Sequence, residues 1–204
     1  MKPKNTNTNV QYLAYLGALV GLLLLLELTP LGIIPIIPGT IEITTLNLPV
    51  VIGAMVLGPA AGGILGVVFG LISFWECFGK SAFGMVLLTV NPLFTFLVCV
   101  PPRILMGFFS GKIFEALNRT AKGRDKMPFV AGALSGAILN TILFMTMLML
   151  LFRNSEFMLG LRGSMNMLPF IAAFVGLNGV VEAIVCGVVG SAVGFALYRL
   201  AHRK

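Results

Sequence analysis

The chain has 204 residues, of which 58% are hydrophobic and only 10% charged, with a mean hydropathy of +1.01; a water-soluble fold is usually about a quarter charged, so a soluble domain is excluded. The net charge of +7 does not point to nucleic acid, because Lys112, Arg119, Lys122, Arg124 and Lys126 gather at one connection and Arg199, Arg203 and Lys204 at the C-terminus, as the positive-inside rule distributes them. The apolar runs do not alternate as barrel strands would, so the expectation is an all-α integral membrane protein with one transmembrane domain over residues 1–204.

In chain order, a first helix is expected over about 11 to 27. It reads as a mature helix rather than a leader, since only Lys2 and Lys4 precede it and no clean small-residue cleavage site follows. A loop with Pro and Thr runs over about 29 to 44, then a short helix over about 46 to 57. Gly58-Pro59 breaks the apolar stretch there, and a third helix covers about 60 to 76. After a loop over about 77 to 91, Asn91 caps a fourth helix that starts at Pro92 and runs to about 118. The basic connection "NRTAKGRDK" leads to a fifth helix over about 128 to 152. "RNSEFMLGLRGSMNM" is a third long loop, and a sixth helix covers about 168 to 199.

Positive charges orient the bundle. Ten of the 14 Lys and Arg residues fall on the side of the termini and the 112–126 cluster, against Lys80, Arg153 and Arg162 on the other, with Arg103 inside a helix. Both termini are therefore expected in the cytoplasm, with six transmembrane helices and the three long loops outside. Cys77, Cys99 and Cys186 lack metal spacing and read as free buried thiols. His202 is the only histidine, so no metal site or catalytic dyad can be assembled, and no Gly-x-x-x-x-Gly-Lys-Ser/Thr motif occurs. An enzyme and a resident cofactor are not expected.

Two small-residue patterns suit helix packing. Gly58, Gly62, Gly66 and Gly70 recur every four residues and read as an internal groove for another helix. Ala14 and Ala18, beside Gly17 and Gly21, form a similar face on the first helix.

Polar residues inside apolar helices face a partner or a cavity, because a charge at the bilayer centre costs at least about 2.5 kcal/mol. Arg103 is the clearest case, with Glu182, Asn178 and Asn140 at comparable depth on other helices. Asn91, Thr95, Cys99 and Arg103 make a stripe spaced by four, and Pro101 and Pro102 free carbonyls near residues 97 and 98. Two readings stay open: an internal Arg103–Glu182 pair that sets helix register, and an Arg103 that binds an anionic ligand with help from Asn140 and Asn178. Trp75 is either an interfacial anchor or a wall of the pocket. The short second helix, with Thr44, Thr45 and Asn47 at its start, offers an N-terminus that favours anions, and the loop before it reads as a gate.

These residues carry a resemblance. "PGTIEITTLNLPVVIGAMVLGPAAGGILGVVFG", residues 38 to 70, with "VLGPAAGGILG" at the turn between helices and "PPRILMG" followed by "GKIF", resembles the substrate-binding S components of energy-coupling-factor transporters. The likeness covers nearly the whole chain and is greatest to pantothenate-type members. It implies a riboflavin-transporter-like bundle of six helices that captures a vitamin from outside and topples in the membrane to release it. Ala14 and Ala18 match the motif that contacts the transmembrane coupling subunit, and two cytoplasmic ATPases would use the ATP. Thr45, Asn47, Trp75, Asn91, Thr95, Arg103, Asn140, Asn178 and Glu182 are the expected substrate contacts. Folate and riboflavin are alternative ligands, and a stand-alone carrier or channel is the alternative function.

Overall fold

In the computed structural model, residues 6–37, 41–120, 126–163 and 179–201 are described. Helix α1 is Thr6–Leu28. The expected loop after it contains a two-stranded antiparallel hairpin, β1 (Ile33–Ile37) and β2 (Ile41–Thr44), with Ile33 opposite Thr44 and an irregularity between Pro35 and Ile37. Isoleucine favours extended backbone, while a proline cannot donate to the ladder. A lone hairpin is marginal in water, and this one is tied at its base. Thr45 N–H donates to Gly32 O at 3.0 Å, and Thr45 Oγ1 donates to Leu31 O at 2.6 Å.

Helix α2, Asn47–Leu57, has 11 residues. At about 1.5 Å per residue it is roughly 16 Å long, half of a hydrocarbon core. It is buried on nearly every side and packs against α1, α3 (Pro59–Glu76), α5 (Pro92–Thr120), α6 (Met127–Phe152) and the C-terminal span. A helix apolar all round belongs in the interior. Gly58 has φ +99°, a conformation other residues avoid, and Pro59 starts α3 immediately after it. The expected break is therefore where the composition places it.

Five helices among the described residues are long and apolar enough to cross a membrane: Val10–Leu28, Pro59–Glu76, Pro92–Thr120, Met127–Phe152 and Gly179–Leu200. Of the six expected crossings, the second, α2, is too short for a full one, and the first part of the last, residues 168–178, lies outside the described residues. The last span, α8 (Gly179–Leu200), contains a π-helical turn at Cys186–Gly190. Two further helices occupy stretches expected as loops: α4 (Ala82–Val90) and α7 (Glu156–Arg162). Each is started by a serine whose hydroxyl accepts a backbone N–H, Ser81 from Gly84 and Ser155 from Met158.

The glycine stripe sets the closest contact in the bundle. A Cβ on Gly70 would stand 2.7 Å from Val100 Cα, one on Gly66 2.9 Å from Ile104 Cα, and one on Gly62 would run into the carbonyl of Gly107. Helix α3 therefore lies backbone on backbone along α5, the internal packing that the spacing predicts. Val50, Val51 and Met55 of α2, Leu65 and Phe69 of α3, Met106 of α5 and Phe129 of α6 share the main core. A second cluster, with Leu87, Val98, Met145, Leu148, Phe152 and Met158, joins α4 and α7 to α5 and α6.

Candidate binding site

Arg103 is on α5, directly after two residues that have no backbone N–H. Pro101 and Pro102 leave the carbonyls of Leu97 and Val98 without their usual helical donors. Arg103 Nη1 donates to Val98 O at 2.8 Å and so satisfies one of them. The side chain is thereby turned inward, 8% exposed, with its guanidinium carbon 5.5 Å from the Phe69 ring and 4.7 Å from the Phe144 ring. These faces supply cation–π attraction. Arg103 Nε is buried and has no hydrogen-bond partner, and among the described residues no carboxylate forms an ion pair with the guanidinium.

Glu182, 8% exposed, is instead held by α2 and the hairpin. Its Oε1 accepts from Thr44 N at 3.3 Å and its Oε2 from Asn47 Nδ2 at 3.2 Å, with the Asn140 side chain close by. The start of α2 thus has an anion beside it, as a helix N-terminus favours, but that anion belongs to the chain itself. Of the two readings of Arg103 and Glu182, the direct pair is not formed. The two charges are near enough to interact but share no contact within ion-pair distance.

The amides around Glu182 have a defined polarity. A carboxylate oxygen accepts hydrogen bonds, and Asn47 turns its NH₂ toward Glu182 Oε2. Asn47 Oδ1, Asn140 Oδ1 and Thr44 Oγ1 are then buried without a partner. Asn47 and Asn140 are fully or almost fully buried, and an unpaired polar atom there costs about 1 to 3 kcal/mol. Arg103 thus offers an unpaired donor and a net positive charge, and two asparagines offer acceptors.

Several expected contacts lie elsewhere. Trp75 is 71% exposed on the outside of the bundle, its ring tilted beside that of Phe78. Asn91 spends Oδ1 on Phe94 N–H at 3.1 Å as the cap of α5, and Thr95 Oγ1 donates to Asn91 O at 2.9 Å. Thr45 fastens the hairpin. Asn178 lies outside the described residues. Cys77 and Cys99 are buried and free, with their sulfurs 3.9 Å apart.

Sequence reasoning passed over Glu27 and Glu76. Lys80 Nζ stands 2.6 Å from Glu27 Oε1 and 2.6 Å from Glu27 O, closing the end of α1 against the turn after α3. Glu76 is 6% exposed, and Glu76 Oε1 and Glu27 Oε2 are both buried without partners. The available signal was an acid at the end of each of two apolar runs, "LLLLLELTP" and "FWECFGK".

Comparison with known proteins places the chain in a family. The family described as ECF transporter, substrate-specific component, matches residues 11–194. A pantothenic acid transporter, PanT, of Lactococcus lactis subsp. cremoris is 30% identical over 195 residues, covering 90% of this chain and 92% of that protein. A pantothenate transporter, PanT, of Leuconostoc mesenteroides subsp. mesenteroides is 28% identical over 206 residues, covering 97% of both.

Proposed function

The chain belongs to the substrate-specific components of ECF transporters, and on that premise we propose that it captures pantothenate from outside the cell. The protein is a multi-pass membrane transport subunit and not an enzyme. The observation that carries the ligand assignment is Arg103, a buried cation with no ion-pair partner among the described residues. Pantothenate supplies what this site lacks. Its carboxylate accepts two parallel hydrogen bonds from a guanidinium. Its hydroxyls and amide N–H are donors for Asn47 Oδ1 and Asn140 Oδ1, and its dimethyl group suits the apolar rings of Phe69 and Phe144 that flank Arg103. The names of the two relatives support the same ligand.

Calorimetry of the purified protein without ATP tests the assignment. Pantothenate is expected to bind at or below about micromolar Kd, about 8 kcal/mol or more. Silence toward pantothenate together with binding of folate or riboflavin would reassign the ligand. Silence across the vitamin panel would reject a vitamin as the ligand.

Delivery is proposed to follow the family pattern, by toppling of the loaded subunit on a transmembrane coupling subunit driven by two cytoplasmic ATPases. Both termini then lie in the cytoplasm, as the charge asymmetry favours. Ala14, Gly17, Ala18 and Gly21 form an exposed strip on α1, and a Cβ on either glycine would meet nothing within 4 Å. Such a strip lets a second helix approach closely. Ala14→Trp is expected to abolish co-purification with the coupling subunit while pantothenate binding stays within about twofold of the wild type. Normal assembly of that variant would exclude this face.

A further inference from the structure

The buried carboxylate of Glu182 joins segments more than a hundred positions apart, Thr44 at 138 and Asn47 at 135 residues' separation. Both of its oxygens are occupied by these donors, and Asn140 is a third neighbour. Thr44 and Asn47, which it holds, and Asn140 beside it each present an unpartnered oxygen: Asn47 Oδ1, Asn140 Oδ1 and Thr44 Oγ1. An asparagine amide has two faces of opposite hydrogen-bonding sense, and turning it over converts an acceptor into a donor.

We propose that Glu182 is a positioning residue, whose carboxylate orients the Asn47 and Asn140 amides so that the site shows acceptors, and thereby selects ligands that carry hydroxyl donors. The proposal rests on the functional reading above and adds the residue that sets its selectivity. Arg103 reads the acid end of the ligand, and Glu182 decides, through the amides, what the other end must be. With glutamine at 182, that side chain can either accept or donate. The asparagines then lose their reason to face one way, and the acceptors are no longer guaranteed.

The test uses calorimetry of the full chain with two probes. One is pantothenate. The other is its dideoxy analogue, which keeps the carboxylate, amide and dimethyl group but lacks both hydroxyls. The wild type is expected to prefer pantothenate, and Glu182→Gln to lower that preference by about tenfold or more. A purely structural role would weaken both probes equally and leave the ratio intact, which would overturn the proposal, as would an unaltered ratio with unaltered affinities.

A double-mutant cycle separates positioning from direct contact. If Glu182 acts through Asn47, the Glu182→Gln/Asn47→Leu variant loses less selectivity than the product of the two single losses. If the carboxylate itself touched the ligand, the losses would multiply, and the positioning role would be wrong. Should Glu182→Gln fail to fold, Asn47→Leu alone decides the matter, since it removes one acceptor but keeps the carboxylate; an undiminished preference there overturns the proposal. A wild type that ignores pantothenate would sink the functional reading itself. A wild type that binds pantothenate, with variants that keep its preference, would sink only the role given to Glu182.

Discussion

Arg103→Ala is expected to weaken pantothenate binding by about 1.5 to 3 kcal/mol, roughly ten- to a hundredfold or more, the range for a hydrogen bond to a charged group. The fold is expected to survive the change. Removing one member of a buried ion pair strands the other charge and is strongly destabilising, but Arg103 has no such partner among the described residues. What the variant loses internally is one hydrogen bond to Val98 O and two cation–π contacts, offset by no longer burying a lone cation. Arg103→Lys keeps the charge but not the two-pronged geometry, and is expected to fall between the wild type and Arg103→Ala. Calorimetry together with thermal unfolding separates the two effects. Full affinity in a folded Arg103→Ala protein would remove this residue from the site.

Gly66→Leu is expected to be the most disruptive packing change. A Cβ at this position would stand 2.8 Å from the carbonyl carbon of Arg103 and 2.9 Å from Ile104 Cα. The obstacle is backbone, which cannot rotate away as a side chain can. Overpacking a core typically costs about 1 to 3 kcal/mol and occasionally more, and a whole isobutyl group against a neighbouring helix belongs at or above the upper end. Helix α5 must move, and Arg103 moves with it, so loss of stability and loss of binding are expected together. Gly63→Ala is the control, since its Cβ meets only Phe108 Cβ at 3.9 Å. It is expected to be neutral or slightly stabilising, as alanine is a better helix former by up to about 1 kcal/mol. Thermal unfolding in detergent measures both. A Gly66→Leu protein as stable as the wild type would mean that α3 and α5 are not packed backbone to backbone.

Much of the bundle is legible from local signals, because local chemistry causes it. Gly58-Pro59 stops one helix and starts the next, Asn91 caps α5, and glycines at every fourth position mark the α3–α5 contact. The inward turn of Arg103 follows from the two prolines before it, which leave carbonyls for the guanidinium to find. What escapes local reading is whatever depends on distant partners. The chain says that Glu182 is buried, but not that Asn47 and Thr44, rather than Arg103, hydrogen-bond to it. Trp75 and Glu76 are neighbours, yet one faces out and the other in, because a helix end has no hydrophobic period to tell them apart. The hairpin and helices α4 and α7 are too short to announce themselves: the two helices are stabilised by serine caps and by packing against the long helices, and the hairpin is fastened by Thr45 at its base.

The claim on which the account stands is that a buried guanidinium recognises the acid group of the ligand. The most direct measurement titrates the wild-type protein with pantothenate and with its neutral alcohol analogue, in which CH₂OH replaces the carboxylate. The two ligands share every other group. Pantothenate is expected to bind more tightly by about a factor of ten to a hundred or more, and Arg103→Ala to bring the two affinities together. Equal binding of acid and alcohol by the wild type would contradict the account.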